Sequence, residues 1–422
     1  HLELVASVRA EQKRLYDQQL DRRLQGLLAS AEADLPSLVA VNHTALKHGL
    51  EEIQAQALAL AAEQTSSLRD RSDLEGLVGV RCIAEEGNWA RLVSVVDSAI
   101  EEVTMVRAIE AAAARDDFAT LRAVEQRAAA RGHREIVRCA QVRIQEAAGR
   151  VGERMGLPAE WDVVVELAGT DVRRLLKKAE ETEAALLGRV QGLVDATFTG
   201  WGGYGKKTRT RDRGKERVAD RLRVMSVIRV QNAESYVNYR AKRKRIMDVM
   251  QGRAEIPVGD AWDVKTSRVS LEGVSGSSGN PVDPSINEHY LFHGTDPTGA
   301  EGITDNYFDI KRAGSRYGAL FGPGIYLAES CMKADEYTRA DSRGWYPMLF
   351  CRTVLGRINY CDSKDPAKLG RKLEASCKSG GHYDSVLGDR EKVMKTFREF
   401  IVFDSHQVYP EFIIWYSRVY PS

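Results

Sequence analysis

The sequence lacks the cysteine pattern of a disulfide framework or a zinc site. Its six cysteines, Cys82, Cys139, Cys331, Cys351, Cys361 and Cys377, include no C-x-x-C pair and follow no regular interval. That usage predicts reduced thiols in an intracellular protein, nuclear or cytoplasmic. No closely spaced pair of its eight histidines lies near a cysteine, so no metal is expected. Excess charge is lacking too: 61 basic residues stand against 60 acidic ones, and this balance gives no support for nucleic acid as a partner. No apolar run reaches membrane-spanning length, and no leader pattern opens the chain. The chain begins at His1 rather than Met and reads as a fragment of something longer.

What is present divides in two. Residues 1–195 are rich in Ala, Leu, Glu, Arg and Gln, with proline only at Pro36 and Pro158. Apolar residues recur at helical spacing, as in Leu15, Leu20, Leu24 and Leu27, then Ile53, Ala57, Leu58 and Ala61. Two segments resemble each other: Trp89, Leu92 and Val95 match Phe118, Leu121 and Val124, each set behind a turn-like Gly-Asn or Asp-Asp. A helix-pair array or a long bundle is expected, serving interaction or regulation. Residues 196–217 read as a Gly-rich basic linker. Beyond them, short β-branched and aromatic runs predict strands at 221–230, 290–293, 324–328, 348–354, 399–403 and 412–416. A helix carrying Tyr236, Tyr239, Ile246 and Met250 follows a cap at Asn232. The expected class is α+β, with an all-α region ahead of it, and residues from about 200 onward are expected to fold alone.

The stretch Gly200–Thr208, GWGGYGKKT, imitates a phosphate-binding loop. A dinucleotide fingerprint needs an amphipathic helix after its last glycine, and no apolar periodicity appears before Val218. A magnesium-nucleotide loop needs Ser or Thr after its lysine, and Lys207 stands there. The run reads instead as a linker ending in a solvated basic face. A nucleotide must be held elsewhere.

Chemistry-bearing residues cluster downstream. His293-Gly294 ends an apolar strand, Gly322-Pro323-Gly324 turns into the strand bearing Tyr326, and Tyr337 follows on an expected helix. Two tyrosines brought together can sandwich a flat ring. Glu399 opens the strand continued by Phe400, Ile401, Val402 and Phe403, where a carboxylate needs a partner or a task. Singly, each has a plain structural explanation; their order is what carries weight.

The segments LFHGT, FGPGIYLAES, YDSVLGDR and REFIVFDSHQVYPEFIIWY, in this order, resemble the catalytic domain of the poly(ADP-ribose) polymerase family. The resemblance implies a catalytic domain over 218–422, with a split, mainly antiparallel pair of sheets that binds NAD+ as co-substrate. It implies a His293, Tyr326, Glu399 triad and no metal. His293 would hold the adenosine ribose, Tyr326 and Tyr337 would stack the nicotinamide, and the Gly294 backbone would hold its carboxamide. Glu399 would grip the nicotinamide-ribose 2′-hydroxyl, with Thr295 and Arg312 on the ADP half. The implied activity is ADP-ribose transfer to protein acceptors, the protein itself among them, with polymer growth permitted by Glu399. One position departs from the pattern: Ala334 stands where the family commonly has a serine bonded to the carboxamide. The alternative is a catalytically weak module that binds NAD+ or ADP-ribose on a helical scaffold.

Overall fold

The computed structural model describes residues 2–30, 34–158, 161, 176–180, 184–200, 203–204, 208, 210, 212–214, 216–250, 263–269, 282–310, 319–378 and 380–420. The chain divides into two units, 1–148 and 149–422.

The first unit is helical: α1 (Leu2–Leu28), α2 (Leu35–His48), α3 (Glu51–Asp70), α4 (Leu74–Glu86), α5 (Ala90–Ala114), α6 (Phe118–Arg131) and the start of α7 (Arg134–Met155). Aspartates cap three of these, Asp34, Asp73 and Asp117 accepting from the amides of Ser37, Gly76 and Thr120. Each such cap satisfies an amide that the first turn leaves without a partner. Ile53, Ala57 and Ala61 are buried with Leu38, Leu77, Leu92 and Val96. On α1 the core residues are Leu24 and Leu28, whereas Leu15 and Leu27 face solvent. The likeness between the two segments corresponds to two turns of one build. Asn88 and Asp116 both take left-handed backbone, at φ 56° and 52°, just before Trp89 and Asp117. Ser72 does the same at φ 55° before α4. Among the described residues no helix is long and apolar enough to cross a membrane.

The second unit is α+β. Its strands are β1 (Leu176–Glu180), β2 (Thr199–Gly200), β3 (Gly203–Tyr204), β4 (Arg221–Asn232), β5 (Glu288–Gly294), β6 (Ile325–Leu327), β7 (Tyr346–Val354), β8 (Ile358–Cys361), β9 (Ser385–Asp389), β10 (Arg398–Val402) and β11 (Val408–Val419). Five form an antiparallel sheet in the order β1-β4-β11-β7-β5. Four form a second sheet, β6-β10-β9-β8, antiparallel except for the parallel pair β8 and β9. The strands at 221–230, 290–293, 324–328, 348–354, 399–403 and 412–416 fall where their β-branched and aromatic runs placed them; β1, β8 and β9 carry too little pattern to read. Helix α8 (Ala184–Thr197), expected with the first half, packs Leu186, Val190, Leu193 and Val194 into the core of this unit with Val227, Phe350 and Ile414. Asn232 caps α9 (Ala233–Met250) through Ser235 N, and Tyr236, Tyr239 and Ile246 are buried. Helix α10 (Pro297–Asn306) follows β5.

Among the described residues the two sheets meet at one backbone bridge. Phe292 on β5 donates to Ala328 O at 2.7 Å, and Ala328 N returns a bond to Phe292 O at 2.9 Å. Ala328 directly follows β6, so the first sheet's edge joins the second sheet's edge here.

Candidate active site

A cavity of about 1130 Å³ lies beside this bridge. Small-ligand sites usually occupy about 300–1,000 Å³, so it has room for a dinucleotide. Its wall brings together His293, Gly294 and Thr295, Tyr326, then Ala334 and Tyr337, and Glu399. Of the residues read from the sequence, Arg312 lies outside the described residues.

His293 stands at the end of β5, half-buried, with the ring of Phe308 edge-on at 5.0 Å. Its Nδ1 is 2.9 Å from Tyr326 O. Burial holds the imidazole below its ordinary pKa despite that carbonyl, so the ring is neutral near pH 7. A neutral ring that donates through Nδ1 presents Nε2 as an acceptor, suited to a ligand hydroxyl.

Gly294 permits the closest approach in the site. A Cβ built there would overlap the carbonyl oxygen of Ala334, so no side chain fits. Ala334 belongs to α11 (Cys331–Ala334), one turn of helix that passes into a 3-10 turn, Asp335–Tyr337. Tyr337 thus sits on that turn and not on the helix expected for it. Both tyrosines are fixed at their hydroxyls. Tyr326 donates to Gly322 O and accepts from Phe321 N, each at 2.9 Å, within the turn shaped by Gly322 at φ 103°. Tyr337 donates to Asp212 Oδ2 and accepts from Lys333 Nζ, each at 2.7 Å. Burial pushes both phenols above their ordinary range, so both stay protonated.

Glu399 is the second residue of β10 and is 4% exposed. Arg398 before it makes a two-armed contact with Glu329, at 2.8 and 2.6 Å, which ties the start of β10 to the residue after Ala328. Glu399 Oε1 lies 3.4 Å from Lys333 Nζ. Its Oε2 accepts no hydrogen bond from the described residues, and Arg390 stands 3.8 Å away. A buried carboxylate oxygen with spare acceptor capacity, on a cavity wall, is an acceptor for something not in the chain.

Lys333 and Asp212 are the residues that sequence reading missed. Lys333 Nζ meets Asp212 Oδ2 and Glu336 Oε2 at 2.9 Å each, besides Tyr337 and Glu399. Burial opposes its charge, but Glu399, Tyr337, Glu336 and Asp212 outweigh burial and hold its pKa above the ordinary lysine value. Lys333 had a signal of sorts, as a charge beside Ala334 in the motif. Asp212 had none, because it lies in the run read as a solvated basic face. That reading is corrected at Arg213, whereas Arg217, the other described cation of the run, is exposed as expected. Thr208, Thr210 and Arg213 are buried. Thr210 Oγ1 bonds Glu336 at 2.6 Å, while Arg213 bonds Asp335 at 2.6 Å and Met332 O at 3.1 Å. The buried carboxylates of Asp335 and Glu336, on the turn after α11, pull the run inward. Lys206, Lys207, Arg209, Arg211 and Lys215 lie outside the described residues. Among the described residues no three His, Cys, Asp or Glu side chains converge as metal ligands would.

A family model of the poly(ADP-ribose) polymerase catalytic domain matches residues 205–418, just over half of the chain. Protein mono-ADP-ribosyltransferase PARP12 of Mus musculus is 31% identical over 135 residues, which cover 31% of this chain and 17% of that protein. Protein mono-ADP-ribosyltransferase PARP11 of Mus musculus is 29% identical over 153 residues, 31% of this chain and 43% of that one. Poly [ADP-ribose] polymerase tankyrase of Caenorhabditis elegans is 38% identical over 78 residues, 18% of this chain and 3% of that one. The matched segments span less than half the length of each relative.

Proposed function

Because the chain belongs to the poly(ADP-ribose) polymerase catalytic family, we propose that it is an NAD+-dependent protein ADP-ribosyltransferase. The observation that carries the reading is Glu399 Oε2, buried without a hydrogen-bond donor among the described residues on the wall of a dinucleotide-sized cavity. Nicotinamide fits the side lined by Tyr326, Tyr337 and Ala334, its carboxamide against the backbone of Gly294. His293 Nε2 accepts from the adenosine ribose, and Thr295 serves the ADP half with Arg312. Glu399 accepts from the 2′-hydroxyl of the nicotinamide ribose.

The bond from the anomeric carbon to the nicotinamide nitrogen breaks, and its electron pair leaves with the ring. The sugar develops oxocarbenium character, which the preplaced Glu399 charge stabilises. An acceptor oxygen then forms the new bond to the anomeric carbon and loses its proton, when it has one. Acceptors are protein side chains, the protein's own included. With Glu399 present, a hydroxyl of an attached ADP-ribose can itself serve as acceptor, which is polymer growth. The helical first unit acts in targeting or regulation, within an intracellular compartment.

Incubation with labelled NAD+ followed by a denaturing gel tests the reading. A sharp band means single transfers and a smear means polymer. No label, with no nicotinamide released, would overturn the activity and leave a binding module, the reading that Ala334 favours.

A further inference from the structure

An ammonium group has three N–H bonds, and Lys333 has four acceptors around it. Asp212 Oδ2 at 2.9 Å, Glu336 Oε2 at 2.9 Å and the Tyr337 hydroxyl at 2.7 Å engage all three hydrogens. Glu399 Oε1, at 3.4 Å, is left with charge attraction and no hydrogen of its own. Removing any one of the first three acceptors would release an N–H that Glu399 is placed to receive.

Asp212 is the acceptor that the reaction chemistry does not explain. Its Oδ2 takes the Lys333 hydrogen and also the Tyr337 hydroxyl hydrogen, at 2.7 Å. Its position is fixed from both sides. Thr210 bonds Glu336, Arg213 bonds Asp335 and Met332 O, and the Asp212 amide donates to Thr210 Oγ1 at 3.2 Å. A segment stitched this way to the turn that carries Tyr337 is built to deliver that carboxylate.

On the reading of the site as a transferase, we propose that Asp212 is a positioning residue for ADP-ribose transfer. By occupying one N–H of Lys333 it keeps the ammonium from closing on Glu399, so that the full Glu399 charge faces the developing cation. A lysine hydrogen bonded to Glu399 would cancel part of that charge and compete with the ribose hydroxyl for the carboxylate. Asp212 touches neither the ribose nor the leaving group in this scheme. It acts through Lys333.

The test compares the full chain with Asp212→Ala and Asp212→Asn, and repeats Asp212→Ala in a Lys333→Met background. Nicotinamide release from NAD+, the Kd of benzamide and the thermal midpoint are measured for each. Alanine removes the acceptor and frees a Lys333 N–H for Glu399, so kcat should fall about tenfold or more, which corresponds to at least about 1.4 kcal/mol at the barrier. Asparagine keeps an oxygen that accepts from both Lys333 and the Tyr337 hydroxyl, so it should recover most of that loss. In the Lys333→Met background Asp212→Ala should cost less than about twofold, because the group through which it acts is gone. An equal loss in both backgrounds, an unchanged kcat in Asp212→Ala, or a fall in benzamide affinity equal to the fall in kcat would each overturn the proposal. If the unaltered protein releases no nicotinamide, the transferase reading fails by itself. Asp212 is then judged on a non-cleavable NAD+ analogue, whose affinity should drop in Asp212→Ala by more than that of benzamide; an unchanged analogue affinity would overturn it.

Discussion

Gly294 and Ala334 meet backbone to backbone, and the space a Cβ would need at Gly294 is filled by the Ala334 carbonyl. Two segments far apart in sequence are thereby held at one separation, and that separation sets the width of the pocket's nicotinamide side. Gly294→Ala should push α11 away from β5. Benzamide affinity should fall by at least about tenfold, the 1.4 kcal/mol scale of one displaced contact, with a lower thermal midpoint. Unaltered benzamide binding would place the carboxamide elsewhere.

Glu399→Gln keeps the shape of the side chain and removes its charge. Turnover should collapse while NAD+ binding stays measurable, because the charge acts on the developing cation more than on bound NAD+. Nicotinamide release and isothermal titration read the two separately. Ordinary turnover in the glutamine variant would remove Glu399 from its assigned role.

Ala334→Ser supplies the hydroxyl found commonly in the family at this position. Ala334 is 2% exposed and lines the cavity, so one hydrogen bond to a carboxamide should contribute about 0.5–1.5 kcal/mol. Nicotinamide mimics should bind several-fold tighter and ADP-ribose should bind as before. A gain shared by both ligands would mean general stiffening of the cleft.

Truncation should be sharply position-dependent. A chain starting at 149 keeps β1 and α8 and should fold and retain activity. One starting at 200 loses Leu186, Val190, Leu193 and Val194 from the core, each a burial of about 1.5–3 kcal/mol for a side chain of this size. It should be insoluble or melt far lower. Circular dichroism of both fragments decides the point.

Acid should loosen the fold through Glu329. Burial raises its pKa, yet Arg398 and Lys265 outweigh burial and hold it below the ordinary 4.5. A carboxyl depressed on folding adds stability above its unfolded value, and that stability is lost as pH falls through the folded value. Urea midpoints should therefore drop below about pH 4.5, the unfolded value of a glutamate. Glu329→Gln should cost about 3–5 kcal/mol at neutral pH, as a broken buried pair does, and should show a shallower acid dependence. Parallel pH profiles for the two proteins would remove Glu329 from that role.

The sequence was most readable where pattern and chemistry coincided. Arg221–Val230 alternates because one face of β4 packs inward, and His293, Tyr326 and Glu399 stand in motifs whose order is itself informative. Pattern failed where tertiary contacts decide. The segment Leu-Lys-Lys-Ala-Glu of β1 has no alternation and is a strand through its antiparallel register with β4. Helix α8 shares the Ala and Leu bias of the first half but belongs to the second core. Asp212 stood among cations, and only the acidic turn at Asp335 and Glu336 shows why that run folds inward.

The reciprocal bonds between Phe292 and Ala328 also bear on time. Both residues are buried beside the cavity, and both amides are locked by the other's carbonyl. Neither can meet solvent unless the two sheets part, so in deuterated water these amides should be among the last to exchange. The floor of the cleft would then keep its shape for as long as the second unit stays folded. The two sheets would then act on any ligand as a fixed frame.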